Sequence, residues 1–177
     1  MSVLKYSLIF GFLTLMSFHN EQDYETISWN VNAALTWNDF KGEAPERARA
    51  AATTASGITY RFSTNSTQNV DVVEIDFEVS TYFYPNKSWY KPELCDDVIL
   101  GHEQLHFDIS ELFARKLRER LKNIRFTKNV KTEIKTIYKD VLEELSDFQE
   151  NYDEETNYSR NHEQQLIWNE KIADALN

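Results

Sequence analysis

From residue 50 to residue 80 apolar and polar side chains alternate along the chain. Ile58, Tyr60 and Phe62 stand between polar neighbours within Ala50 to Phe62. After a Ser/Thr/Asn-rich stretch from Ser63 to Asn69 the alternation resumes, with Val73, Ile75, Phe77 and Val79 set against Glu74, Asp76 and Glu78. A period of two turns one face to a core and the other to water, and two such strands across a polar turn predict an antiparallel hairpin. Upstream, Trp29, Val31, Leu35 and Trp37 among polar residues predict a strand or extended segment over Ile27 to Asp39. The charged stretch Lys41 to Arg49, which contains Pro45, predicts a loop.

After Glu93 the period becomes helical. Leu94, Val98, Ile99, Leu105, Ile109, Leu112, Phe113, Leu117 and Leu121 recur at helical spacing, with Pro92 where a first turn tolerates it, so a long helix is expected from Glu93 to about Asn123. Ile134, Ile137, Tyr138, Val141, Leu142, Leu145 and Phe148 predict a second over Val130 to Asn151. A polar break from Tyr152 to Asn161 precedes a short last helix carrying Leu166, Ile167, Trp168 and Ile172. Strands first and helices after predict an α+β fold: a small antiparallel sheet packed on the long helix, with a second antiparallel helix and a short C-terminal one. The aromatic run Tyr82, Phe83, Tyr84, Trp89 and Tyr90 reads as packing between sheet and helix ahead of a substrate groove. The basic residues Arg115, Lys116, Arg118, Arg120 and Lys122 read as a solvated face that complements the helix carboxyl end.

At 177 residues the chain has room for one substantial core, and only 4 Gly and 3 Pro favour a large helical component over a turn-rich all-β fold. A net charge of -10 excludes nucleic acid as the expected partner. Residues 1–19 read as an export signal, with Lys5 followed by the apolar run Tyr6 to Phe18, which is too short for a comfortable membrane span. No small-x-small cleavage site follows, so an uncleaved anchor is the alternative. With the leader removed, a single domain over 20–177 is expected to be secreted or periplasmic, without stable membrane insertion. Cys95 is the only cysteine, so no internal disulfide forms. Its expected role is a small buried residue, with a thiolate ligand as the lesser reading.

The chemistry concentrates in His102-Glu103-Gln104-Leu105-His106. At about 3.6 residues per turn, residues four apart share a helix face, so His102 and His106 can meet on one zinc ion. Glu103, on the flank, can take a proton from a water in the open coordination position. The plain alternative is two histidines satisfied as core or surface residues and one more solvated carboxylate. A catalytic zinc site usually takes three protein ligands. After His106 the helix continues without a glycine turn, and Asp108 and Glu111 point to other sides, suited to supporting hydrogen bonds or pairing with Arg115. The third ligand is therefore expected from the acidic stretch Tyr152 to Ser159, where Asp153 and Glu155 each offer a hard oxygen. Tyr158 could donate to an oxyanion.

With these pieces in place the chain resembles the DUF922 family, predicted secreted zinc-dependent proteases of bacteria. The resemblance rests on Leu35-Thr36-Trp37-Asn38-Asp39-Phe40-Lys41-Gly42, on Ala51-Ala52-Thr53-Thr54-Ala55-Ser56-Gly57-Ile58 and on Gly101 to Ile109 with Glu111 and Arg115. It continues through Tyr152 to Ser159, Gln165 and Trp168. It implies a zincin-like metallopeptidase domain that binds one zinc ion and acts on a polypeptide. In one place the chain departs from the family pattern: Tyr158-Ser159 stand where a His-Gly pair is common. An acidic residue followed three positions later by Tyr also resembles the third-ligand region of aspzincin metalloproteases. Together these imply His102, His106 and Glu155 as ligands, Glu103 as general base and Tyr158 as oxyanion donor, with Asp153 or the Tyr158 phenol as the alternative third ligand. The rival expectation is a noncatalytic envelope protein with a structural or vestigial metal site. Hydrolysis of a cell-wall or other amide would use the same water chemistry.

Overall fold

The structure, a computed structural model, describes residues 25–65 and 74–177. The leader and most of the turn expected before Val73 lie outside the described residues. The expected hairpin is present: strands β3 (Ser56–Asn65) and β4 (Glu74–Phe83) pair antiparallel in unbroken register from Ser56 opposite Phe83 to Asn65 opposite Glu74. β1 (Ile27–Ser28) adds to the far side of β4, giving the order β1-β4-β3. A separate two-stranded ribbon joins β2 (Ala52–Thr53) to β5 (Trp89–Tyr90). The alternation has the expected consequence: Ile58 and Val79 are buried with Tyr60, Phe62, Ile75 and Phe77 packed behind them, while Thr59, Arg61, Asp76 and Glu78 face water.

Of the three helices, α1 (Asp97–Lys122) packs on the inner face of the sheet, and α2 (Val130–Glu155) and α3 (His162–Leu176) pack against α1. α1 starts four residues later than its apolar pattern suggests, because the Asp96 carboxylate accepts the Ile99 N–H and supplies the cap. Contacts of Arg120 with Glu144 near one end, and of His106 with Gln149 near the other, make α2 antiparallel to α1. α3 runs parallel to α1, since Gln165 meets His102 and the Leu176 carbonyl meets Arg115. The seam is apolar: Ile109, Leu117, Leu121, Ile134, Val141 and Ile172 are essentially fully buried. Each such side chain stabilises the fold by about 1.5–3 kcal/mol, whereas an exposed ion pair such as Lys116–Glu144 contributes about 0–1 kcal/mol. Burial therefore sets the helix pairing, and the surface charges follow it.

Three expectations change. The segment Ile27 to Asp39 is mostly irregular, with only β1 and a 3-10 turn at Trp37–Asp39, because the buried Leu35 donates its N–H to the Gln104 side chain instead of a strand. The basic stripe on α1 is more than a solvated face: Arg115 and Arg118 bind Glu111, and Arg118 also holds the Val79 carbonyl at 2.8 Å. Burial raises the Glu111 carboxyl, but bonds from Arg118, Thr81 and Arg115 outweigh that and hold it below its usual range. Finally, α2 runs through Tyr152 to Glu155, so the first four residues of the expected polar break are helix. Tyr152 continues the Leu145 and Phe148 stripe at helical spacing and is completely buried. The aromatic run does pack: Phe83 is fully buried against Phe40 and Phe107, and Tyr90 stacks on Trp37 at 4.6 Å. Among the described residues no helix is long and apolar enough to cross a membrane.

Candidate metal centre

α1 presents His102 and His106 one above the other on the side that meets α2. The two Nε2 atoms lie 3.0 and 3.1 Å from the same atom, Oδ1 of Asp153 in the last turn of α2. These three residues are the one His/Cys/Asp/Glu group among the described residues whose ligand atoms all approach within 4.8 Å of each other. His102 is 4% exposed and stacks on Tyr152 with ring centroids 4.5 Å apart, while His106 meets the same ring edge-on at 5.0 Å. Tyr152 thus fills the floor beneath both imidazoles. Burial, only partly offset by its bond from Gln165, pushes its phenol far above the usual range, so it stays neutral.

The electrostatics follow from this packing. Burial raises the Asp153 carboxyl, but its contacts with the two histidines more than reverse that and hold it well below the usual carboxylate range. Burial lowers His106, yet the Asp153 carboxylate, then Glu103 and Gln149, prevail and raise it. A site that holds protons between imidazole and carboxylate when metal-free can exchange them for a divalent cation.

Glu103 is 5% exposed, and its Oε2 is buried with no hydrogen-bond partner among the described residues. Its backbone carbonyl accepts the Thr54 hydroxyl at 3.0 Å, which ties the segment after β2 to this turn of α1. An ionisable oxygen without a donor is costly in the interior. It leaves a proton acceptor beside the imidazoles uncommitted to the protein.

The geometry departs from the expected ligand set at Glu155. Its Oε2 accepts the Trp168 indole N–H at 2.8 Å, and Asp153 is the acidic residue brought to the imidazoles. Positions two apart on a helix point about 200° apart, so once Asp153 faces α1, Glu155 faces α3. Asp108 accepts from Trp29 Nε1 and Gln104 Nε2 on the opposite side of α1, and Glu111 pairs with Arg115 as expected. Cys95 is half-buried, with its thiol directed to the Ala51 carbonyl; burial raises its pKa, and it lies outside the three-residue group.

Tyr158 is 58% exposed in the turn between α2 and α3, its N–H donated to the Asp153 carbonyl at 2.8 Å. Asn157, Tyr158 and Ser159 have φ of 48°, 53° and 70°, a left-handed run without glycine. Such conformations cost a side-chain-bearing residue about 1–2 kcal/mol, and the bend turns α3 back toward His102. Replacing Ser159 by Gly is expected to raise stability by about 0.5–1 kcal/mol, after glycine's extra unfolded-state entropy is subtracted. A later urea midpoint with unchanged zinc uptake checks this.

Sequence reasoning assigned no site role to Tyr152 or Gln149 and noted Gln165 only through the resemblance. A signal was available: Gln149 and Asp153 are four apart and flank the Leu145–Phe148–Tyr152 stripe, so extending α2 by one turn places both at the α1 seam. No curated protein and no solved structure matches the chain. A family model described as "Bacterial protein of unknown function (DUF922)" matches residues 28–163, and the chain belongs to that family.

Proposed function

We propose that this protein is a zinc-dependent peptidase. The observation that carries the reading is the convergence of two imidazole Nε2 atoms on one carboxylate oxygen, with an unpartnered buried glutamate on the same turn of helix. In this proposal His102, His106 and Asp153 hold one zinc ion. Zinc, when bound, supplies Lewis acidity that brings the pKa of a water toward neutrality. Glu103 accepts the proton from the attacking water and passes it to the leaving amine. Tyr158, held next to Asp153 through its backbone and carrying an exposed phenol, donates to the developing oxyanion. The substrate is a polypeptide, and the leader reading puts the reaction outside the cytoplasm, in the periplasm or the medium.

The test joins metal analysis to cleavage. Purified protein is expected to hold one zinc ion per chain, to cleave an unfolded protein, to lose both on chelation and to regain both with zinc. Zinc uptake without cleavage across a broad peptide library supports instead a noncatalytic protein with a structural metal site. No uptake removes both readings. The affinity should also depend on pH. His106 is raised above the ordinary histidine range, so protons compete with zinc from a higher pH than for a free imidazole. Zinc affinity is therefore expected to begin falling above the pH of about 6.5 at which a free imidazole gains its proton, to keep falling as pH drops further, and to level off on the alkaline side, as titration against a chromophoric chelator will show.

A further inference from the structure

The two atoms that face Asp153 are decided by the two that do not. His102 Nδ1 lies 2.9 Å from Gln165 Oε1, and His106 Nδ1 lies 3.2 Å from Gln149 Oε1. Which end of each amide faces the ring follows from counting donors against groups that can only accept. Gln149 Nε2 donates to the His106 backbone carbonyl and to Ser110 Oγ, both at 3.3 Å. A carbonyl cannot donate, so the nitrogen end belongs there and the oxygen end faces His106. For Gln165 the anchor is the His102 carbonyl, which accepts the Tyr152 hydroxyl at 3.2 Å. That hydroxyl touches both ends of the amide, Oε1 at 2.9 Å and Nε2 at 2.7 Å; with its proton directed to the acceptors it accepts from the nearer nitrogen, which also donates to Asn169 Oδ1 at 2.9 Å. The oxygen end of Gln165 is left for His102.

Both rings therefore meet an acceptor at Nδ1 and must donate from it. Nε2 of each ring faces an acceptor as well, Asp153 Oδ1, so the metal-free rings share protons with that carboxylate, and a cation that takes the place of those protons meets an Nε2 lone pair while Nδ1–H stays on the amide. We infer that Gln149 and Gln165 are the positioning residues of the metal centre: they fix both histidines in the Nδ1–H tautomer and turn both Nε2 lone pairs toward one cation. Metal-binding histidines commonly donate their second N–H to such a partner. Here both partners are neutral amides and not carboxylates, so they orient the rings without adding negative charge, and Asp153 is the one anionic member of the ligand set. Gln165 is 5% exposed and stands on α3, which makes the docking of that helix part of the metal site.

The inference rests on the metal-site reading above, but its readout needs no substrate. In the zinc-loaded protein 15N chemical shifts distinguish the ligating from the protonated ring nitrogen, and both His102 and His106 are expected to ligate through Nε2 with the proton on Nδ1. Gln165→Leu should move the ring-nitrogen signals of His102 alone and Gln149→Leu those of His106 alone, each lowering zinc affinity about 10–100-fold. Gln165→Glu and Gln149→Glu keep an acceptor in place and are expected to restore the signals and hold zinc at least as tightly as wild type. Circular dichroism establishes that each variant is folded. Rings that ligate through Nδ1 in zinc-loaded wild type overturn the inference, as do folded Leu variants with wild-type ring-nitrogen signals and affinity, or losses spread over both rings that Glu does not rescue. Failure of wild type to take up zinc overturns it together with the metal reading. Zinc and ring-nitrogen responses as stated, with no peptide cleavage, leave it standing and remove the peptidase reading alone.

Discussion

Asp153→Asn is expected to weaken zinc binding by a factor of roughly several hundred, and Glu155→Gln to leave it unchanged. The magnitude comes from dividing the roughly 10–16 kcal/mol of a protein-bound zinc among three or four ligands, which assigns about 3–4 kcal/mol to each. The amide that replaces Asp153 keeps the shape but loses the negative charge on the oxygen that both imidazoles approach at 3.0 and 3.1 Å. In Glu155→Gln the side-chain oxygen still accepts the Trp168 N–H, so fold and metal site should both persist. Competition with a chelator of known affinity measures the two. A large loss with Glu155→Gln and none with Asp153→Asn would reverse the assignment.

Glu103→Gln is the second substitution with a large expected effect, and its signature is a separation of two properties. Zinc affinity should stay near wild type, since Glu103 is outside the group of converging ligand atoms. Cleavage should fall by about 10²–10⁴-fold, the contribution typical of a positioned general base. The residue is buried and one of its oxygens has no hydrogen-bond partner among the described residues, so the isosteric amide adds little strain. Measuring kcat/KM on an unfolded protein beside zinc content decides it. Full activity in Glu103→Gln would require another base, while loss of zinc would place Glu103 among the ligands.

These two experiments divide along the line between what the chain declares locally and what its packing selects. The strand period over Ile58 to Val79 specifies a hairpin with a given inward face, because alternate residues of a strand cannot avoid opposite faces. The spacing of His102 and His106 likewise puts them on one side of a helix wherever that helix sits. Both are short-range consequences of backbone geometry, and both are present in the structure. The α+β class and the three helices followed from the same periodicities.

The rest depended on long-range packing. Asp153 and Glu155 are chemically equivalent candidates in the same acidic stretch. The selection between them is made by Tyr152, whose burial extends α2 by one turn and so rotates Asp153 toward α1 and Glu155 toward Trp168. That burial is available only because α1 and α3 form a pocket for the ring from residues 50 positions upstream and 13 positions downstream of it. The spacing of Gln149 from Asp153 marks its face of α2, but neither Gln149 nor Gln165 carries a local signature of its role, since an amide acquires one only from the groups on either side of it. By itself the sequence determined two imidazoles and a carboxylate on one helix, through the period of the backbone. Only the tertiary structure decided which acid meets them and which amide stands behind each ring, because both depend on contacts that exist after three helices have packed.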